Sequence, residues 1–296
     1  MLTSPKPPWL KVRFPSEAAF FSVSRLVERH GLQTICRSAR CPNIGECWSA
    51  RTATFLILGD VCTRGCRFCA VAKGRPAPAE EDEPRRLAEA AAGLGLRYVV
   101  LTSVTRDDLS DGGAGAFAAA VQALRERIPG VQVEVLVPDF GGDPAALRTV
   151  TDAAPDVFGH NLETPASMYP RVNRPEAHYR RSLEVLRRAG AAGAVTKSSL
   201  IIGLGETEDD LESAFQDLRE AGCLLLTIGQ YLQPARGHAP VARFYAPEDF
   251  DRLRRRALTL GFAGVAAGPL VRSSYRARDL AAAPADRFLE NRPCAS

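Results

Sequence analysis

The sequence lacks the features that mark exported and membrane proteins. No run of about 18 apolar residues occurs in the 296-residue chain, which predicts that no segment spans a membrane. Residues 1–21 contain no continuous apolar segment of the kind found in signal peptides. We therefore expect a cytoplasmic protein that does not associate with membranes.

An excess of charge of one sign is also missing. The 38 basic and 34 acidic residues leave a net charge of +4, which excludes a strongly basic nucleic-acid-binding protein and mildly favours an acidic partner. Lysine is scarce, with four of the 38 basic residues, and we attribute this to coding bias. Hydrophobic residues make up 46% of the chain, which is typical of a globular protein and excludes disorder.

Cysteine, in contrast, is clustered. Six of the eight cysteines form two triplets, C-x4-C-x5-C at Cys36, Cys41 and Cys47, and C-x3-C-x2-C at Cys62, Cys66 and Cys69. In a reducing compartment such clusters hold metal more often than they form disulfides. Neither triplet supplies the paired CxxC units of structural zinc, so one composite zinc site is the weaker alternative. A triplet on a short loop suits an iron–sulfur cluster and leaves one iron open for chemistry.

The two remaining cysteines are interpreted separately. Cys223 stands in the apolar run CLLLTIG, which predicts an inert core thiol. Cys294 lies in the polar tail, and we expect it to bind no metal.

Short β-rich runs alternate with longer amphipathic runs, which indicates β/α units and a parallel sheet. The predicted strands are 53–60, 97–102, 131–137, 156–161, 195–202 and 223–229. The predicted helices are 17–30, 85–93, 114–128, 144–153, 177–189, 208–221 and 247–260. Six units are too few to close an eight-stranded barrel, so a doubly wound sheet or an open three-quarter barrel is expected. In both, chemistry belongs at the C-terminal ends of the strands, where the second cysteine triplet falls.

The segment CTRGCRFC (62–69) resembles the signature of radical S-adenosylmethionine enzymes. The resemblance implies that three thiolates hold a 4Fe–4S cluster whose fourth iron chelates S-adenosylmethionine. One electron then cleaves the sulfonium bond and releases a 5′-deoxyadenosyl radical.

The rest of the chain resembles lipoyl synthases from about Lys6 to Ala277, and the similar segments are collinear. They are KPPWLKVRFP (6–15), CPNIGECW (41–48), TATFLILGDVCTRGCRFCAV (52–71), LTSVTRDDLSDGGA (101–114), HNLET (160–164), GLGET (203–207), GQYLQP (229–234) and RSSYRA (272–277). Gly159 and Ser199 depart from the family pattern, and neither is a ligand position.

This resemblance implies an α/β fold, a partial (β/α)6 TIM-like barrel of the radical SAM type with N- and C-terminal extensions. We predict an extension carrying the first cysteine triplet at 1–50, the barrel at 51–267, and a C-terminal extension with a mobile tail at 268–296. The first triplet is expected to hold an auxiliary 4Fe–4S cluster, with Ser274 as its fourth ligand and Ser273 as the alternative. The hydroxyls could instead only cap local backbone.

The implied reaction inserts two sulfur atoms at C6 and C8 of a protein-bound octanoyl-lysine, and the auxiliary cluster supplies the sulfur. The expected cofactors are two 4Fe–4S clusters and S-adenosylmethionine as co-substrate. The expected partners are octanoylated lipoyl-carrier domains of 2-oxoacid dehydrogenases or the glycine cleavage H protein, an electron donor such as flavodoxin or ferredoxin, and iron–sulfur carrier proteins. Three arginines, Arg171, Arg174 and Arg180, would suit an acidic carrier, or form a solvated helix face.

The S-adenosylmethionine site is expected across the strand ends. Asn161 and Glu163 close the fourth strand, and Glu163 can accept hydrogen bonds from ribose hydroxyls. Lys197 stands among apolar neighbours and needs an anion, either the methionyl carboxylate or a protein carboxylate. Ser103 and Asp107 are weaker candidates.

Three alternatives remain open on the sequence. The glycines of GLGET indicate either close approach to adenine or a plain turn. A non-catalytic iron–sulfur scaffold protein would carry cysteine clusters, but not the radical triplet together with RSSYRA. Another radical enzyme, catalysing methylthiolation or biotin-type sulfur insertion, would lack the C-x4-C-x5-C triplet that precedes the radical triplet.

Overall fold

The computed structural model of the protein describes residues 6–12, 18–50 and 52–282. Cys294 and most of the predicted tail lie outside the described residues. In the described part, no helix is both long and apolar enough to cross a membrane.

The predicted alternation of strands and helices is confirmed. The strands are β1 (Gln33–Thr34), β2 (Thr54–Ile57), β3 (Val61–Cys62), β4 (Ala72–Lys73), β5 (Tyr98–Ser103), β6 (Gln132–Leu136), β7 (Val157–Gly159), β8 (Thr196–Ile202), β9 (Leu225–Gln230) and β10 (Gly264–Gly268). The helices are α1 (Ala18–Arg29), α2 (Ile35–Ser38), α3 (Ile44–Ser49), α4 (Glu83–Gly93), α5 (Ala114–Arg127), α6 (Pro144–Asp152), α7 (Ala177–Ala191), α8 (Glu208–Glu220), α9 (Pro247–Thr259) and α10 (Ala277–Ala281).

The described residues divide into two compact units. One takes 12, 18–50, 52–65 and 70–158, and the other takes 6–11, 66–69 and 159–282. The three-part division at 50 and 267 stays a prediction.

In the unit that contains α1 to α6, β2 pairs in parallel with β5, and β5 pairs in parallel with β6. The short β1 adds an antiparallel edge to β2. All four residues of β2 are buried, as are the first five of β5, which is why these strands read as continuous apolar runs. Helix α5 packs between α4 and α6 and buries Phe117 and Leu124.

In the unit that contains α7 to α10, β8 pairs in parallel with β9, and β9 with β10. Phe215 of α8 and Phe250 of α9 belong to its apolar core. Strand β10 was not predicted, because its sequence GVAAG has small residues and little apolar periodicity; pairing with β9 creates it. Cys223 is fully buried in this core, which confirms the core thiol, and burial raises its pKa to about 12.

Helix α8 begins at a turn that the motif GLGET builds. The Glu206 carboxylate accepts hydrogen bonds from the backbone N–H groups of Gly203 (2.5 Å) and Leu204 (2.9 Å). A Cβ at Gly203, where φ is +108°, would collide with the side chain of Gln230. The motif therefore forms a turn that depends on a close backbone approach at Gly203, and whether adenine also approaches it stays a prediction.

Gln230 ties this turn to the following chain. Its fully buried side-chain amide donates to the carbonyls of Ile202, Tyr231 and Arg243 at 3.0–3.1 Å and accepts from the N–H of Tyr245 at 2.9 Å. Replacing it by an apolar residue leaves these backbone groups unpaired in the core.

We predict that Gln230→Leu lowers the free energy of unfolding by about 3 kcal/mol or more, because several buried groups lose a partner. Urea unfolding of the apo-protein, followed by circular dichroism, measures this. Gln122→Leu is the control, since Gln122 is exposed on α5 and its side chain donates to Glu126 on the same helix face, and it should change stability by less than about 0.5 kcal/mol. Equal losses in both variants would contradict the prediction.

Candidate functional site

The second cysteine triplet begins where β2 has ended. Cys62 closes the short strand β3, which pairs with β4, and the N–H of Gly74 donates to the Cys62 carbonyl at 3.1 Å. The backbone N–H of Arg64 lies 3.4 Å from the Cys62 sulfur and donates to it. Hydrogen bonds therefore hold both the backbone and the sulfur atom of Cys62.

The residues after Cys62 are anchored to loops that follow β5 and β6. The N–H of Thr63 donates to the Thr105 carbonyl at 3.1 Å. The Arg64 guanidinium makes two hydrogen bonds to Asp107, at 2.9 and 2.7 Å, and an ion pair with Asp139 at 2.8 Å. Asp107 is therefore a partner of Arg64, and sequence reasoning missed both Arg64 and Asp139.

These contacts stabilise the charged forms. The hydrogen bond from Arg64 lowers the pKa of Asp107 below its ordinary value. Burial by itself lowers the pKa of Arg64, but the hydrogen bonds to Asp107 and Asp139 outweigh it and raise the pKa. Asp139 has only 1% of its side chain exposed, so its charge depends on this pairing.

The second half of the triplet, Cys66 to Cys69, is held by other partners within its own unit. The N–H of Arg67 donates to the Val172 carbonyl at 2.8 Å, and the Arg67 carbonyl accepts from Ala239 at 2.9 Å. Nε2 of His238 lies 3.0 Å from the Cys69 carbonyl. His238 was not predicted from the sequence, and a lone histidine in a loop gives no signal for this role.

The first cysteine triplet occupies two short helices and the loop between them. Cys36 is in α2, the N–H of Cys41 donates to the Cys36 carbonyl at 3.0 Å, and Cys47 is in α3. Burial raises the pKa of the Cys36 thiol, against a backbone hydrogen bond from Thr54. The centre of the Trp48 ring in α3 lies 5.3 Å from that of Phe20 in α1.

Of the predicted S-adenosylmethionine residues, Asn161 and Glu163 follow the end of β7, and Lys197 lies on β8. The N–H of His160 donates to the Lys197 carbonyl at 3.0 Å, and the N–H of Glu163 donates to the Ser199 carbonyl at 2.9 Å. Asn161 therefore runs beside β8, and its side chain donates to Glu163 at 3.1 Å. Lys197 is 3% exposed on β8.

Glu163 combines two unfavourable features. Its φ is +72°, a left-handed conformation that non-glycine residues rarely adopt. Burial raises the pKa of its carboxyl, against the opposing effects of Arg174 and Asn161. Backbone strain and a buried acid at one strand end are typical of a functional position.

Arg174 corrects a sequence interpretation. It is 9% exposed, its guanidinium lies 4.7 Å from the centre of the Tyr169 ring, and it donates to the Leu162 carbonyl at 3.4 Å. It was grouped with exposed carrier-binding arginines, and this is wrong for Arg174. Arg171 and Arg180 are exposed.

The RSSY serines lie in a turn after β10. Ser273 and Ser274 are partly exposed, and the N–H of Tyr275 donates to the Arg272 carbonyl at 3.0 Å. A Cβ at Gly229 would collide with the Val271 carbonyl, so glycine at the end of β9 lets this segment approach.

The donor atoms present suit iron–sulfur clusters. None of the seven described cysteines forms a disulfide. Within the described ranges, no three Cys, His, Asp or Glu side chains gather as tightly as ligands of a single ion. Thiolates of a 4Fe–4S cluster bind different irons, so they do not need to converge on one point. The buried Ser103 hydroxyl at the end of β5 has no partner among described residues, which suits a polar ligand there.

Comparison with known proteins identifies the class. The family model described as the Radical SAM superfamily matches residues 56–218, more than half of the chain. The fold is similar to that of the FeFe-hydrogenase maturase HydG from Carboxydothermus hydrogenoformans, with a TM-score of 0.56 and 13% identity over 83% of this chain and 65% of that one. The chain has the α/β fold of a radical SAM enzyme, as predicted, and this superfamily uses S-adenosylmethionine and a 4Fe–4S cluster.

Relatives with higher sequence identity show which family of radical SAM enzymes the chain belongs to. A lipoyl synthase of Rubrobacter xylanophilus is 52% identical, covering 93% of this chain and 86% of the relative. A lipoyl synthase of Nitratidesulfovibrio vulgaris (strain Hildenborough) is 54% identical, covering 92% of this chain and 91% of the relative. The chain belongs to the lipoyl synthase family.

We predict that Glu163→Gln gains stability relative to the unsubstituted apo-protein as pH rises. A raised pKa in the folded state means that Glu163 stabilises the fold fully below its ordinary pKa of 4.5 and loses that contribution as pH rises through the folded pKa. Glutamine does not titrate. Urea midpoints between about pH 4 and pH 8 measure the difference.

Glu220→Gln, at the exposed end of α8, is the control and should show no such trend. A stability difference for Glu163→Gln that stays constant with pH would contradict the raised pKa of Glu163 in the folded protein.

Proposed function

We propose that this protein inserts sulfur at C6 and C8 of an octanoyl chain carried on a lysine of a lipoyl-carrier domain. The observation that carries the proposal is the combination of two cysteine triplets with the RSSY turn in a member of the lipoyl synthase family. When bound, a reduced 4Fe–4S cluster and S-adenosylmethionine supply a carbon radical that abstracts hydrogen from the chain.

The proposal assigns each predicted site residue a role. Cys62, Cys66 and Cys69 hold the radical cluster, in a loop whose backbone is anchored on both sides. Asn161 and Glu163 bind the ribose hydroxyls of S-adenosylmethionine. Lys197, buried in the neighbouring strand β8, binds the methionyl carboxylate.

The auxiliary cluster is held by Cys36, Cys41 and Cys47, with Ser274 as the fourth ligand and Ser273 as the alternative. An oxygen ligand on iron is harder and more easily exchanged than a thiolate. A cluster that is dismantled to donate its sulfur needs such a weak ligand. Both serines are partly exposed, which supports this part of the proposal.

The partners are octanoylated carrier domains of 2-oxoacid dehydrogenases or the glycine cleavage H protein, an electron donor such as flavodoxin or ferredoxin, and iron–sulfur carrier proteins. Arg171 and Arg180 are exposed and suit an acidic carrier surface. Docking of the carrier supplies binding energy that holds C6 and C8 near the radical.

We predict that the two cysteine triplets have separable roles. Anaerobically reconstituted protein should hold about eight irons, as two 4Fe–4S clusters. Replacing Cys62, Cys66 and Cys69 by Ala should leave about four irons and abolish S-adenosylmethionine cleavage. Replacing Cys36, Cys41 and Cys47 by Ala should retain cleavage to 5′-deoxyadenosine and methionine but transfer no sulfur.

Iron and sulfide analysis and mass spectrometry of an octanoylated acceptor peptide measure these outcomes. Cys294→Ser, a change at a cysteine outside both triplets, is the control and should behave like the unsubstituted protein. Lipoyl formation by the variant without Cys36, Cys41 and Cys47, or a protein filled with zinc and free of iron, would overturn the assignment.

We predict that the acceptor is the octanoylated carrier and not free octanoate. Turnover on free octanoate should be slower by at least about tenfold, because it lacks remote binding energy. Carrier binding should weaken as salt screens the exposed arginines. Turnover assays with both substrates measure this, and comparable rates would refute the octanoylated carrier as the preferred acceptor. Carrier binding that is independent of salt would refute only the electrostatic contribution of the arginines.

A further inference from the structure

The side chain of Arg64 has no part in the roles proposed above, although it lies inside the radical triplet. Only 18% of it is exposed, and its two acidic partners come from separate loops, Asp107 after β5 and Asp139 after β6. The bridge contains one cation and two carboxylates, one of them buried. A purely solubilising arginine would not be held in this way.

The planar guanidinium matches this arrangement. Nε and Nη2 donate to the two oxygens of Asp107 at 2.9 and 2.7 Å, and Nη2 also lies 2.8 Å from Asp139 Oδ1. Such a forked contact fixes orientation as well as distance, which a lysine ammonium cannot do. Thr63 adds a further anchor, since its hydroxyl accepts from the N–H of Asp107 at 3.2 Å.

Fixing the side chain also fixes the peptide group of the same residue. The N–H of Arg64 donates to the Cys62 sulfur at 3.4 Å. Hydrogen bonds to ligand sulfurs stabilise the more negative, reduced state of an iron–sulfur cluster and so raise its reduction potential.

We propose that Arg64 is a positioning residue: its bridge to Asp107 and Asp139 aims its own N–H at the Cys62 sulfur and thereby raises the reduction potential of the cluster bound there. The inference deepens the proposed function and rests on Cys62 being a cluster ligand. The reducing electron enters this cluster, so the bridge determines how readily the physiological donor can deliver it.

The first test uses the apo-protein. Arg64→Gln removes the fork, and hydrogen exchange of peptides covering 62–69 should become about tenfold faster. Arg64→Lys keeps the charge without the fork and should exchange at an intermediate rate. Arg85→Gln is the control, because Arg85 is an exposed residue of α4 that also bridges two acids, Asp82 and Glu89, and exchange at 62–69 should not change.

Replacing Arg64 alone leaves the buried Asp139 carboxylate without its cation, which can destabilise the protein. A second variant therefore separates the loss of positioning from a loss of folding. The double variant Arg64→Gln, Asp139→Asn removes cation and buried anion together. It should fold and still exchange fast at 62–69. Exchange as slow as in the unsubstituted protein, in either variant, would overturn the positioning role.

The second test uses the protein with its cluster at the radical triplet alone, carrying Cys36→Ala, Cys41→Ala and Cys47→Ala. Redox titration followed by electron paramagnetic resonance should give a more negative midpoint potential for the double variant at unchanged iron content, with Arg64→Lys in between. Unchanged potentials would refute the effect on the cluster. If even the unsubstituted triplet binds no iron, the proposed function fails, and the exchange result alone decides whether Arg64 positions the loop.

Discussion

A loop that must present thiolates at fixed positions has no regular hydrogen-bond ladder of its own, and the functional architecture depends on this constraint. Side chains and backbone groups from other loops supply the missing partners. Thr63 and Arg64 are held by residues that follow β5 and β6. Arg67 and Cys69 are held by Val172, His238 and Ala239. These hydrogen bonds hold the irregular backbone that carries the cysteines.

The same solution recurs where acidic side chains are buried. The Glu206 carboxylate accepts hydrogen bonds from two backbone N–H groups and from the Tyr245 hydroxyl. Glu163 has Asn161 and the nearby Arg174, yet burial still raises its pKa. The Glu206 carboxylate therefore stabilises a turn. The charged form of Glu163 is disfavoured by burial, and a bound hydrogen-bond donor can stabilise it. This difference separates a structural acid from a candidate binding residue better than burial alone.

Several elements were predictable because their signals are local. The first five residues of β5 and all of β9 are buried, so their apolar runs mark them as strands, and Thr207 with Asp210 marks the start of α8. Strand β10 was missed because GVAAG has no such pattern. The prediction that Arg174 is an exposed carrier-binding arginine was wrong. Its charge alone does not show that the guanidinium will stack on Tyr169 and donate to the Leu162 carbonyl.

The sequence by itself determined which donor groups the chain offers. Two cysteine triplets and the RSSY motif supply thiols and hydroxyls at fixed spacings, which are properties of residue types and short distances along the chain. The tertiary structure decided which side chains and backbone groups form hydrogen bonds around those donors. Asp107 and Asp139 stand 43 and 75 positions after Arg64, and only parallel strands that end at one edge bring their loops to it. A backbone N–H is likewise present at every residue except proline, and only the fold directs the N–H of Arg64 at the Cys62 sulfur.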